Sequence, residues 1–152
     1  MQKKTVLKDV PLSEITLRRY ERPSNLEGRH LIKKLCLSLG LLQPGDSRDI
    51  IVDVLIIFLH AKDKKQFLTS EQIAENVIAF RKKENLPLKG IASSNIRRQI
   101  KRLKDLFLVE CIKNEYRITE FDDIHSIFME KIERIYLNNI LERVKEYTIT
   151  IK

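Results

Sequence analysis

The sequence predicts a mainly α fold with one small β-hairpin, on three observations. Apolar residues recur at steps of three and four in several separate stretches, as at Ile96, Ile100, Leu103 and Phe107, and that spacing lines one face of a helix. Four glycines and four prolines mark most of the joints between such stretches. One stretch, LVECIKNEYRIT, is β-prone instead: Ile112, Tyr116 and Ile118 flank a tight Asn114–Glu115 turn.

The elements follow in order. Pro11 opens a short helix over LSEITLRRYE and Pro23 ends it. Asn25 caps a second helix over 26–39, with Leu31, Ile32, Leu35 and Leu39 as its apolar stripe and Gly40 at its C-terminal cap. Pro44–Gly45 gives a turn, and Asp46 or Ser47 caps a helix over 47–61 that is apolar nearly all round, hence a central core helix. Its narrow polar strip, Asp49, Asp53 and His60, has no supporting ligand motif and reads as solvent-facing rather than as a metal or catalytic site. Residues 62–66 form an exposed turn, and Phe67–Leu68 a short strand. Thr69 or Ser70 caps a helix with Ile73, Val77 and Phe80 inward, ending near Asn85 because Pro87 disfavours helical geometry at Leu86. A loop over 88–92 leads to a helix capped by Ser93 or Ser94 and running to Phe107. After the hairpin, a long helix starts at Asp122 or Asp123.

Charge is unevenly placed along the 152 residues. The net charge is +8, and residues 89–117 alone hold eight basic and three acidic side chains, whereas 118–152 hold five and seven. A localised basic surface favours a polyanionic partner. The longest apolar run, Val54 to Leu59, is too short to span a membrane, and no apolar signal core follows the basic opening MQKKTVLKDV, so a cytoplasmic protein without membrane contact is expected. Cys36 and Cys111 form no C-x-x-C pair and read as buried, reduced thiols; the three histidines have no zinc-like spacing. No Gly-rich phosphate loop, activated nucleophile pair or metal-ligand cluster is visible, so neither an enzyme nor a cofactor is expected.

The order core helix, short strand, capped helix LTSEQIAENV, basic helix SSNIRRQIKRLKDLFLVE and hairpin VECIKNEYRIT resembles the winged helix-turn-helix family of archaeal and bacterial transcription regulators. The resemblance covers about residues 47–120. It implies three segments: an N-terminal helical extension (1–46), the winged helix-turn-helix domain (47–120), and a C-terminal dimerisation helix and tail (121–152). It also implies sequence-specific binding of double-stranded DNA, with a recognition helix at about 94–107. Phe107 departs from the pattern, because many relatives have glycine where the helix turns into the strand.

An α-helix fits the major groove of B-DNA, and the second helix of the motif enters it. With Ile96, Ile100, Leu103 and Phe107 inward, the candidate DNA-binding set on that helix is Ser94, Asn95, Arg97, Arg98, Lys101, Arg102 and Lys104. Arginine suits guanine, asparagine suits adenine and lysine suits phosphate. In the hairpin, Lys113 and Arg117 reach for the neighbouring backbone. The LRRYERP cluster is either solvated or an arm along nucleic acid. An RNA-binding winged helix and a protein-interaction module are the alternatives.

The long C-terminal helix carries two apolar stripes at 100° per residue. Ile124, Ile127, Phe128 and Ile135 cover the protein's own domain. Met129, Ile132, Tyr136, Ile140, Val144 and Tyr147 then point to a homodimer.

Overall fold

A computed structural model describes residues 9–152; the basic opening, 1–8, lies outside the described residues. The architecture is mainly helical with a two-stranded antiparallel hairpin. The helices are α1 (Gly28–Ser38), α2 (Ile50–Asp63), α3 (Ser70–Lys83) and α4 (Ser93–Asp105). Strands β1 (Val109–Ile112) and β2 (Glu115–Ile118) follow. A continuous C-terminal rod is built from α5 (Ile124–Ile127), a π-helical stretch (Phe128–Leu137) and α6 (Asn138–Thr150). No helix among the described residues is long and apolar enough to cross a membrane.

The apolar helix α2 is the centre, as its composition predicts. Val52, Val54, Leu55 and Phe58 are wholly buried, and α1, α3, α4 and β2 pack around it. Its polar strip is not solvent-facing. Asp53 is completely buried and Asp49 nearly so, while only His60 is exposed. A buried carboxylate needs partners, and two other helices supply them. Arg29 of α1 donates to both Asp53 oxygens at 2.9 and 3.2 Å and reaches Asp49 at 3.1 Å. Arg81 of α3, itself buried, pairs with Asp53 and with Asp49 at 3.2 Å, and its Nε donates to the Pro87 carbonyl at 2.7 Å. Two aspartates and two arginines, with Lys33 of α1 at 3.8 Å from Asp49 on the rim, thus form a charged cluster joining three helices and the loop before α4. Burial would raise the Asp49 pKa, but the Arg29 hydrogen bond and charge, with Arg81, outweigh it and hold Asp49 below the ordinary carboxylate value.

The expected helix over LSEITLRRYE is absent; residues 12–22 run without regular structure. A ten-residue helix is marginal by itself, and the segment gains better partners elsewhere. The Arg18 amide donates to Ser38 O at 2.9 Å, and the Arg18 guanidinium reaches the carbonyls of Leu37 and Leu42. Thr16 lies directly over Gly40, where a Cβ would stand 2.7 Å from the Thr16 Cβ. Glu14 exchanges two hydrogen bonds with the Tyr136 hydroxyl, which donates to Glu14 O at 2.9 Å and accepts from its amide at 3.2 Å.

Helix starts depart from expectation in three places. Asn25 lies in a short 3-10 turn (Pro23–Asn25), and α1 starts later, after Glu27. Asp46 binds the Arg48 amide instead of capping α2. Ala92, not a serine, precedes α4, and no side chain caps it. The expected cap Thr69 does form, with a reciprocal bond to Gln72.

Helix ends share one device. Beyond each of α1 to α4 a residue with positive φ turns the chain back: Gly40, Lys65, Asn85 and Phe107. In each case the next amide bonds five residues back, as Leu41 to Cys36 O and Leu108 to Leu103 O. Phe107, at φ 67°, therefore takes the glycine role and is 36% exposed rather than in the core stripe. Its ring meets Tyr136 edge-on at 5.3 Å.

The hairpin pairs Val109 with Ile118 and Glu110 with Arg117. Its turn is Lys113–Asn114, one residue earlier than expected, with both φ values positive. The expected strand at Phe67–Leu68 reduces to one bridge from Leu68 to Tyr116. Cys36 is buried as expected, and burial pushes its thiol pKa up to about 12; Cys111 is only half-buried.

The C-terminal rod is capped by Asp123, which accepts from the Ser126 amide at 2.8 Å. Bonding of the i→i+5 type widens the turn over 128–137, so the 100° wheel misplaces side chains there. Ile127 and Ile132, five apart, are both buried in the chain's own core. Ile135, expected to cover that core, is exposed instead. Ile132 and Tyr136, expected at a dimer face, are committed within their own chain.

Candidate nucleic-acid interface

Helix α4 presents two unlike faces. Ile96, Ile100 and Leu103 are buried against the core, and α2, α3 and β1 hold the helix from behind. On the outer side Ser94, Arg97, Arg98, Lys101 and Lys104 are exposed. Arg97, Arg98 and Lys104 have no carboxylate within ion-pair distance among the described residues. Lys101 has one, Asp105 at 2.7 Å, but both side chains are solvated and such a pair is weak. Arg97 stands on the hairpin side of the helix. Its charge acts to lower the Tyr116 pKa, although burial, with Cys111, wins and holds that phenol above its ordinary value.

Three of the four remaining members of the expected set are engaged inside the fold. Asn95 donates to Gly90 O at 2.7 Å and accepts from Gln99 at 3.0 Å. Its amide thereby fastens the preceding loop to the helix start. Arg102 donates to Gln99 at 3.0 Å and to Gly40 O at 3.3 Å, tying α4 to the end of α1. Arg117 donates to Glu110 at 2.7 Å across the hairpin, and its guanidinium lies 4.9 Å from the Phe67 ring centre and 4.7 Å from that of Phe121. It braces the hairpin on the segment before α3. Lys113 is exposed at the hairpin tip.

No family model, curated protein or solved structure matches the chain.

The face is therefore read from its own chemistry. Three unpaired cations on one rigid helix, with a fourth in a solvated pair, can grip a polyanion without breaking any buried contact. Lys89, exposed in the loop that Asn95 fastens, adds a cation that the helical spacing does not single out. Its signal was only its place in the basic 89–117 stretch. Among the described residues no group of three or more histidine, cysteine or acidic side chains could hold a metal ion.

Proposed function

We propose that the chain is a winged helix-turn-helix protein that binds double-stranded DNA through the outer face of α4, as a dimeric transcription regulator in the cytoplasm. The observation that carries this reading is the exposed set Arg97, Arg98 and Lys104 on a helix whose opposite face is locked into the core. The order α2, Leu68 bridge, α3, α4, hairpin supports it as well. The two-residue tip at Lys113–Asn114 offers one backbone contact and little insertion into a groove. The dimer rests on Met129, Val144 and Tyr147, exposed along the rod, with the half-buried Ile140 between them.

Selection of bound sequences from a random duplex library tests the reading. A palindromic consensus is expected. Affinity for it should fall steeply with salt, by about 0.9 log unit per neutralised phosphate for each tenfold rise. A flat salt response, or preference for a structured RNA competitor, would refute duplex DNA as the partner.

A further inference from the structure

We propose that the loop between α3 and α4 is a preformed phosphate contact: Lys89 grips one strand of the duplex, and Asn95, Gln99 and Arg102 are positioning residues that hold the loop without touching DNA. The inference rests on the duplex-DNA reading of α4.

Lys89 is the one charged residue in the stretch 86–92. It is exposed and pairs with no carboxylate among the described residues. The main chain is fastened on both sides of it. Before it, the Leu86 amide donates to Arg81 O at 2.8 Å, and Nε of the buried Arg81 donates to Pro87 O at 2.7 Å. After it, Asn95 Nδ2 donates to Gly90 O at 2.7 Å. Gly90 has a φ of 77°, and a Cβ there would stand 3.1 Å from Asn95 Nδ2 and 3.2 Å from Ile50 Cγ1. A lysine between such anchors has less main-chain freedom to lose when it meets a phosphate. Asn95 is itself oriented. Gln99 donates to Asn95 Oδ1 at 3.0 Å, which turns Nδ2 toward Gly90 O. Arg102 donates to Gln99 Oε1 at 3.0 Å and to Gly40 O at 3.3 Å, so the chain of bonds ends on α1's cap.

Placement on the helix supplies the partner. At the helical step, Asn95 and Arg97 stand on opposite flanks of the outward Arg98. Arg97 is on the hairpin side, where the tip carries the exposed Lys113. The loop lies on the other flank, with Asn95. A major groove is about 12 Å wide, with a phosphate strand along each edge. Loop and hairpin therefore border α4 as those two strands border a helix in the groove.

Affinity of the full chain for a random duplex, titrated over salt, tests the proposal through Lys89→Ala, Asn95→Ala and the double variant. Lys89→Ala should make the salt slope shallower by about one. Asn95→Ala removes no charge, yet it should weaken binding at least about threefold, on the scale of coupling within one hydrogen-bond network. In the Lys89→Ala background it should weaken binding no further. A wild type that binds no duplex at low salt would remove the DNA reading and this proposal with it. Wild-type binding whose slope Lys89→Ala leaves unchanged would overturn the loop contact alone. So would an Asn95→Ala loss that persists in the Lys89→Ala background, the mark of a residue that meets DNA directly. Gln99→Leu breaks the same chain of bonds and takes the place of Asn95→Ala if that variant fails to fold. Should both fail, the exposed, unpaired Lys89 can still be removed, and the slope decides.

Discussion

Arg98 and Lys104 share a helix and an exposed surface, yet they should fail differently when removed. Arg98 lies in the first half of α4, where a groove-bound helix meets base edges. Arg98→Ala should cost about 1–3 kcal/mol at the cognate site and relax one base preference. Lys104 stands in the last turn and should meet phosphate; Lys104→Ala should weaken cognate and random duplexes alike and make the salt slope shallower by about one. Parallel titrations of both variants distinguish these outcomes, and equal, sequence-independent losses would leave α4 as a backbone grip only. The buried stripe of this helix was legible because spacing alone sets which side chains share a face. The Asn95–Gln99–Arg102 chain follows helical spacing, but its anchoring to Gly90 O and Gly40 O was not legible, because no side-chain pattern marks main-chain acceptors. The partner of Arg117 was within reach of sequence reasoning: with the turn placed at Lys113–Asn114, Glu110 falls directly opposite.

At the scale of elements, helices set by composition were legible and helix ends much less so. The run Ile50–Phe58 could only be a core helix, and it is. Of the four positive-φ turns that end α1 to α4, Gly40 announces itself as the residue of choice and Asn85 as a common second, whereas nothing about Lys65 or Phe107 marks them for that geometry. The C-terminal rod fails the wheel for a different reason, since a π-helical stretch changes the angular step and the sequence gives no sign of it. Past that stretch, α6 packs chiefly against the rod itself among the described residues, and Val144 is 55% and Tyr147 70% exposed. As the free end of a continuous rod, α6 can propagate from helix already formed, but its apolar side chains have little packing to support them. If a second copy supplies that support, changing Ile140 and Val144 together to Glu should give a folded monomer in sedimentation. A wild-type monomer would reject the dimer, and unfolding of the variant would assign these residues to the chain's own stability.

For the molecule as a whole, the Asp49–Asp53–Arg29–Arg81 cluster is the joint between α1, α2 and α3, and it makes stability depend on pH in a defined direction. Asp49 has a lowered pKa in the folded chain. It therefore binds its proton more readily when unfolded, and its contribution is fully present above the unfolded value of about 3.9. That contribution is lost as pH falls through the folded value. Urea titrations from pH 7 down to pH 3 should show wild type losing its advantage over Asp49→Asn below about pH 4. A constant gap across that range would mean that Asp49 is not held by its arginines. The other fastening of the molecule is the clasp between Glu14 and Tyr136, residues separated by 122 positions. During synthesis at about 5–20 residues per second, that separation is a wait of roughly 6–24 s. In that interval α1 to α4 and the hairpin can all assemble around α2, while the segment made before them still lacks the hydroxyl that will hold Glu14. Thr16 and Arg18 can settle on α1 early, but the Glu14 end of that segment is among the last to be fastened, and the order of translation is not the order in which this protein is completed.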